Sequence, residues 1–258
     1  MNAKSIRFLL LTVMAVLVAG TAFLCLESGK ARNQRVCEGM RVTFKENFNF
    51  ITEDDVKEWV EREYGHYVGK RLDSLELWRI EDIVDNQAAV RKSEVFTTSD
   101  GMLNINITQR EPVLKLVKSD YSFYVDGRGF IFPLQKNYDS PVPVIYGEIP
   151  ITCNPGFKGK VSDPKESLWL QQTLGMMDYL SGSKQWSGYV GRISVTKTGD
   201  MVINPAEGKE NVIFGAPDRC KEKLELLGRY YDTIKPAKEE GYYSTVNVKY
   251  RGQIICRK

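Results

Sequence analysis

The stretch QREPVLKLVKSDYSFYVDGRGFIFPL, residues 109–134, decides how the chain is divided. It contains three runs of β-branched and aromatic residues, a composition that predicts strands. These runs are residues 113–117, 121–125 and 130–134. Asp126, Gly127, Arg128 and Gly129 separate the second run from the third and are typical of a hairpin turn that needs positive φ angles. We therefore expect a β-ribbon here, with one folded unit before it and a second one after it.

Length, composition and charge predict an ordinary folded protein. The 258 residues are 42% hydrophobic and 27% charged, which allows one or two domains and excludes a compositionally disordered chain. The formal net charge of +3 arises partly from basic residues around the N-terminal apolar run. Because the remainder is nearly balanced, the charge gives no support to nucleic-acid binding.

The apolar run near the N-terminus predicts a membrane anchor. Residues 8–26, FLLLTVMAVLVAGTAFLCL, begin at Phe8, end at Leu26 and contain no charged side chain. At about 1.5 Å per residue, such a helix matches roughly the thickness of a bilayer core. A cleaved signal peptide would need a shorter run and a small-x-small cleavage site, and a lipoprotein site at Cys25 would need small residues before it. We therefore favour a retained transmembrane helix.

The first unit has a clear order of elements. A strand at residues 36–44 precedes a helix that Thr52 and Asp55 can cap, and a second helix carries apolar positions at helical spacing. Two further strands, 90–98 and 102–108, meet at a hairpin. The order strand, helix, helix, strand, strand predicts a small mixed sheet that is covered on one face by the helices.

The second unit is predicted to combine strands with two helices. Asp163, Pro164 and Glu166 have the composition of a helix start, and Pro217 with Asp218 indicates another. Apolar positions at steps of four and three follow the second start and predict a core-facing helix. The chain closes with a predicted strand at residues 243–250 and a final run at 253–256.

The joint between the units resembles a known family. Arg110, Glu111 and Pro112, followed by the hairpin motif Tyr124, Val125, Asp126 and Gly129, are similar to the FtsQ/DivIB family of bacterial cell-division proteins. The resemblance implies an α+β protein of the inner membrane with a single transmembrane helix, a POTRA domain of βααββ order, and a mixed α/β domain with a mainly antiparallel sheet. The implied segments are a cytoplasmic N-terminus at 1–7, the transmembrane helix at 8–26, a stalk at 27–35, the POTRA domain at 36–111 and the β domain at 112–258. Residues 138–183 carry no motif that matches the family.

The resemblance also implies a partner-binding site. In the family, the last strands of the β domain bind small single-pass proteins, FtsB with FtsL, in the periplasm. This role falls here on Lys249, Tyr250, Arg251, Gly252 and Ile254. A terminal strand can offer unpaired backbone groups to a strand of another protein. A core strand without any interface remains an open alternative for residues 243–256, because one of its faces is buried in either case.

Catalytic and cofactor sites are not expected. The one histidine, His66, lies in a turn, and the chain has neither a nucleophile elbow nor a phosphate-binding loop. The cysteines outside the apolar run lack metal-ligand spacing and either pair in one of three ways or remain free thiols; they are Cys37, Cys153, Cys220 and Cys256. The sequence thus favours a non-enzymatic scaffold with no cofactor, metal or small-molecule substrate.

Two other functions compete with the scaffold. A POTRA-containing component of outer-membrane protein assembly or secretion would need a downstream β-barrel, for which the chain has no room. An anchored envelope hydrolase would need a nucleophile or a metal constellation, which a single histidine does not supply.

Overall fold

The computed structural model describes residues 13–14, 16–22, 35–46, 48, 50–118, 121–135, 139–239 and 241–258. The expected cytoplasmic N-terminus, nearly all of the stalk and about half of the expected transmembrane helix lie outside these residues. The described residues 13–14 and 16–22 are helical. None of the helices in the described ranges is both long and apolar enough to span a bilayer. The chain divides into two compact units, Met1–Gln109 and Arg110–Lys258, called here the N-terminal and C-terminal units.

The N-terminal unit has the predicted order of elements. Its elements are β1 (Gly39–Phe44), α1 (Glu53–Glu63), a 3₁₀ turn (Leu72–Ser74), α2 (Leu77–Asp85), β2 (Val90–Thr97) and β3 (Met102–Gln109). Strand β3 lies in the middle of the sheet, parallel to β1 and antiparallel to β2. The prediction of a small mixed sheet is confirmed.

A local sequence signal explains the start of helix α1. The Thr52 hydroxyl accepts a hydrogen bond from the Asp55 N–H at 3.2 Å, and the Asp55 carboxylate accepts one from the Thr52 N–H at 2.8 Å, which forms a capping box at the start of α1. Val56 and Val60 of α1 and alternate residues of β3, such as Ile105, are buried. The helical and the strand periodicity therefore meet in one apolar core.

The C-terminal unit is built on a sheet of ten described strands. Its elements are β4 (Pro112–Lys118), β5 (Tyr121–Asp126), β6 (Phe130–Pro133), β7 (Val144–Gly147), β8 (Gly159–Lys160), α3 (Pro164–Gly182), β9 (Val190–Val195), β10 (Met201–Pro205), β11 (Asn211–Gly215), α4 (Cys220–Arg229), β12 (Thr245–Asn247) and β13 (Ile255–Arg257). The strand order is β13-β12-β11-β10-β9-β7-β4-β5-β6-β8. Most neighbours are antiparallel, as predicted, whereas the pairs β4–β7, β7–β9 and β11–β12 are parallel.

Asp126 holds the joint together. One of its carboxylate oxygens accepts hydrogen bonds from the N–H groups of Arg128 and Phe130, both at 2.9 Å, and the other lies 3.0 Å from the Arg110 guanidinium. The guanidinium also stacks on the Phe130 ring, at 3.5 Å from its centre. Gly129 completes the turn with a φ of +75°. The motif that suggested the family is therefore one connected set of contacts.

Several boundaries predicted from the sequence are wrong. Val36 lies outside β1 and makes only an isolated bridge to Arg71. Helix α4 begins at Cys220, two residues after the predicted start, because the preceding Arg219 adopts a left-handed backbone conformation. The predicted strand 243–250 is reduced to β12, since the chain leaves the ladder after Asn247.

Candidate partner-binding edge

Strand β13 lies at one end of the ten-stranded sheet. Its neighbour β12 is flanked on both sides, since Val246 pairs with Val212 of β11 and with Cys256 of β13. Among the described strands, β13 has a neighbour on one side only. Within the predicted final hairpin, residues 243–256, β13 therefore has an open edge, whereas β12 fits the alternative of a core strand.

The five residues assigned to partner binding lie together in a turn. Residues 248–254, called here the terminal turn, connect β12 to β13. Lys249 and Ile254 are partly buried, whereas Arg251 and Gly252 are exposed and Tyr250 retains half of its accessible surface. Gly252 has a φ of +63°, which allows the chain to reverse at this point. These residues are therefore part of a turn beside the open edge and not part of a strand, and their role in binding stays a prediction.

Contacts from distant parts of the chain fix the start of the terminal turn. Val248 is fully buried, and its N–H donates to the Ile213 carbonyl at 3.1 Å. The Lys249 carbonyl accepts a hydrogen bond from the Arg219 guanidinium at 2.9 Å. The Lys249 ammonium lies 2.8 Å from the Asp200 carboxylate, and this hydrogen bond raises the pKa of Lys249. The turn thus begins from a position that is set by β11, by the β9–β10 hairpin and by the residue before α4.

Two lysines and a tyrosine lie together beside the end of β13. The Lys258 ammonium lies 4.4 Å from the centre of the Tyr242 ring, and the Lys238 ammonium lies 5.2 Å from the same centre. The hydrogen bond from Lys258 lowers the pKa of Tyr242. The Arg257 carbonyl accepts a hydrogen bond from the Ser244 N–H at 2.9 Å, which ties the end of β13 to the residue before β12.

Sequence reasoning missed two residues that shape this site. The local sequence pattern gives Asp200 no role in this site, and it places Arg219 directly after the predicted helix start at Pro217 and Asp218. Both contact Lys249, which lies 49 and 30 positions further along the chain. Nothing in the local sequence indicates either contact, because each depends on how non-neighbouring strands are ordered in the sheet.

The one histidine and four of the five cysteines lie in the described part of the chain. His66 is exposed in the turn after α1. Within the described ranges, no group of histidine, cysteine, aspartate and glutamate side chains is positioned to hold a metal ion. Cys37, Cys153, Cys220 and Cys256 are free thiols, and burial raises the pKa of Cys220 to about 11. Of the two alternatives left by the sequence, the structure therefore favours free thiols over disulfides.

Comparisons with known proteins agree with this architecture. Residues 111–257 match a family model described as FtsQ/DivIB, C-terminal related, and residues 35–108 match one described as a POTRA-like domain. The POTRA-like match and the mixed α/β content agree with the expected fold class.

Individual proteins with similar sequences also come from this family. Over 167 residues, the chain is 29% identical to the cell division protein FtsQ of Mycobacterium bovis and of Mycobacterium tuberculosis. The aligned region covers 60% of this chain and 48% of those proteins, so the chain spans about half the length of the relatives it matches. Because the FtsQ/DivIB model alone matches more than half of the chain, this protein belongs to the FtsQ/DivIB family.

Proposed function

We propose that this protein is a non-enzymatic scaffold of the bacterial cell-division complex, anchored in the inner membrane by one transmembrane helix at residues 8–26. In this proposal residues 1–7 are cytoplasmic, and the POTRA and β domains lie in the periplasm. The chain binds FtsB- and FtsL-like single-pass proteins at the septum without turning over a substrate. Family membership and the name of the relatives, cell division protein, support the proposal.

The observation that carries the binding mode is the position of β13 at the open end of its sheet. An edge strand presents unpaired N–H and C=O groups, which a partner's strand can extend with main-chain hydrogen bonds. The terminal turn lies directly before this edge, and its residues give selectivity, with Tyr250 and Arg251 carrying exposed side chains. We assign that selectivity to Lys249, Tyr250, Arg251, Gly252 and Ile254.

Two competing functions have less support. A POTRA-like domain is compatible with outer-membrane protein assembly, but the match of residues 111–257 to the FtsQ/DivIB model favours division. A hydrolase has no observation in its favour, because the exposed His66 has no partner suited to a triad or a metal site among the described residues.

Side-chain substitutions test the terminal turn. Tyr250→Ala and Arg251→Glu in the full chain should each weaken binding of co-expressed FtsB- and FtsL-like proteins by about 5- to 30-fold, the loss typical of an anchor residue. The melting temperature should not change, because both side chains are exposed. Tyr179→Ala is the matched control, since Tyr179 is a 40%-exposed tyrosine on α3. Unchanged affinity in both turn variants would show that the site lies elsewhere, and a wild-type chain that binds no such partner would refute the scaffold function.

Cross-linking tests the open edge itself. A photoreactive residue at Arg257, in β13, should cross-link to the partner. The same residue at Lys160, in the strand β8 at the opposite end of the same sheet, should not. Equal cross-linking at both ends, or none at Arg257, would argue against strand addition to β13.

A further inference from the structure

We infer that Arg219 is a positioning residue for the terminal turn: its guanidinium holds the Lys249 backbone and so keeps the turn in the conformation that binds the partner. This inference rests on the function proposed above. It concerns a residue that precedes α4 and that does not itself belong to the turn.

The backbone of Arg219 gives the first reason. With φ +47° and ψ +37°, Arg219 is the one non-glycine residue at positive φ in the described part of the chain. This left-handed conformation costs free energy for any residue that carries a Cβ atom, whereas glycine adopts it readily. Strained residues persist where the surroundings hold them, and they concentrate at functional sites. An arginine at a position where glycine would be less strained suggests that the side chain has a use.

The contacts of the side chain identify that use. The Arg219 guanidinium donates to the Lys249 carbonyl at 2.9 Å and is flanked by the carboxylates of Asp218 and Glu222, each at 3.3 Å. A guanidinium is planar, so two carboxylates that hold part of it also fix the direction of its remaining N–H groups. One of those N–H groups donates to the Lys249 carbonyl, near the start of the terminal turn.

A buried lysine holds this arrangement from the core side. Lys223 is 1% exposed, and its ammonium donates to the Asp218 carboxylate and to the Ala216 carbonyl, both at 2.6 Å. Burial by itself raises the pKa of Asp218, but the hydrogen bonds and charges of Lys223 and Arg219 outweigh it, so this pKa is lowered and the carboxylate stays charged. A continuous set of charged contacts therefore runs from the core through Lys223, Asp218 and Arg219 to Lys249.

Lys249 is also held on two other sides. Its ammonium pairs with Asp200, and its side chain passes over Gly215, where an added Cβ would lie 2.7 Å from the Lys249 Cγ. Lys249 is thus fixed at its carbonyl, its methylene chain and its ammonium, while the next residue, Tyr250, is exposed. A turn that is ordered before the partner arrives loses less conformational entropy on binding, which increases affinity.

A substitution to glycine separates positioning from stability. Arg219→Gly removes the guanidinium and also relieves the backbone strain, so we expect a melting temperature close to that of the wild type. Partner binding should nevertheless weaken by on the order of 10-fold, because the turn is no longer fixed. Arg219→Ala should weaken binding equally and should also lower the melting temperature. Arg229→Ala, at the exposed end of the same helix, is the matched control and should change neither quantity.

Hydrogen exchange provides a readout that needs no partner. In the full-length protein, backbone amides of residues 248–254 should exchange faster in Arg219→Gly than in Arg229→Ala or the wild type.

If Arg219→Gly leaves both this exchange and partner binding unchanged while Tyr250→Ala weakens binding, the inference is overturned and the proposed function stands. If Arg219→Gly binds the partner like the wild type, and only Arg219→Ala has both weaker binding and a lower melting temperature, then Arg219 is merely structural and the inference is again overturned. If the wild type binds no partner, the proposed function fails, and the exchange rates alone decide whether Arg219 holds the turn.

Discussion

Asp126 illustrates how a single side chain determines the local path of the chain. Its carboxylate is 5% exposed and satisfies two backbone N–H groups of the turn in addition to the Arg110 guanidinium. A neutral side chain of the same shape could still accept hydrogen bonds. It could not balance the charge of Arg110, which is itself only 13% exposed. The cost of losing the carboxylate is therefore mainly the cost of leaving a buried cation without a counterion.

Asp126→Asn should lower the free energy of unfolding of the C-terminal unit by about 3–5 kcal/mol, the range for breaking one side of a buried ion pair. Urea denaturation followed by far-ultraviolet circular dichroism measures the change. Asp178→Asn is the control, because Asp178 is exposed on α3 and its replacement should cost less than about 0.5 kcal/mol. A cost below about 1 kcal/mol for Asp126→Asn would mean that the pair with Arg110 is not needed for the joint.

For single residues, the sequence predicts a structural role correctly where the signal lies in neighbouring residues. The turn role of Asp126 follows from its position between two apolar runs and from the glycines that follow it. Its pairing with Arg110 spans 16 residues and was not predicted, although both residues were part of the motif. The same limit applies to the binding site: the five residues of the terminal turn are close in sequence, whereas Arg219 and Asp200 reach Lys249 only through the fold.

Among the secondary-structure elements, the contact between β7 and β9 leaves no room for a side chain at Gly147. This residue has a φ of +100°, and a Cβ atom added there would collide with the Val195 carbonyl oxygen of β9. That same carbonyl accepts the Glu148 N–H at 3.0 Å, so the two strands cannot separate without breaking a backbone hydrogen bond. Glycine at this position is therefore required by the parallel pairing in the centre of the sheet.

Gly147→Ala should destabilise the C-terminal unit by at least about 1–3 kcal/mol, since the backbone strain alone has this magnitude and the collision adds to it. Gly175→Ala is the contrasting variant, because Gly175 lies within α3 and an added Cβ would meet nothing within 4 Å. That change should stabilise the unit by about 0.5–1 kcal/mol. Melting temperatures of the two variants, compared with the wild type, should shift in opposite directions. A neutral Gly147→Ala variant would contradict the close approach of β7 and β9.

The elements that were predicted correctly have their signals in the sequence itself. Thr52 caps α1 together with Asp55 in its first turn, and Asp163 caps α3, whose first residue is Pro164, as capping rules require. The start of α4 and the end of β12 were misplaced because long-range contacts decide them. Arg219 is held in a non-helical conformation, and residues after Asn247 follow contacts to Ile213 and Asp200 instead of a strand ladder. The alternation of Val246 and Val248 continues past Asn247, where β12 ends, and for this reason the pattern predicts a strand that is too long.

In the molecule as a whole, the near balance of charge conceals a difference between two parts of the chain. Residues 35–109 contain 10 lysines and arginines against 15 aspartates and glutamates, and residues 110–258 contain 22 against 17. The first range is therefore acidic and the second basic. Two carboxylates in the basic range, those of Glu210 and Asp218, bind lysines in buried or partly buried positions.

These two carboxylates predict a loss of stability in acid. Burial alone raises the pKa of Glu210, but hydrogen bonds from Lys235, a backbone N–H and Tyr231 outweigh it, and the pKa of Asp218 is lowered in the same way by Lys223 and Arg219. A carboxyl whose pKa is lower in the folded than in the unfolded state stabilises the fold at neutral pH. This contribution is lost as the pH falls below the ordinary values of 4.5 and 3.8 towards the folded-state values.

We therefore expect that the free energy of unfolding of the C-terminal unit falls between pH 6 and pH 3. The fall should be smaller in Glu210→Gln, because the proton uptake at this position is removed. Urea denaturation at a series of pH values measures the slope, and Glu239→Gln serves as the control because Glu239 is exposed. An identical slope in the wild type and in Glu210→Gln would exclude Glu210 as a source of the acid sensitivity.

The open edge of β13 also affects self-association of the protein when no partner is bound. An uncovered strand is a template for any extended peptide, including the same strand of a second molecule, and this is the usual route to aggregation of sheet proteins. Here the uncovered strand ends in Arg257 and is followed by Lys258. Two molecules that joined through this strand would bring four positive charges together, one on the strand and one directly after it in each molecule, so like-charge repulsion disfavours self-association while an uncharged or acidic strand remains acceptable.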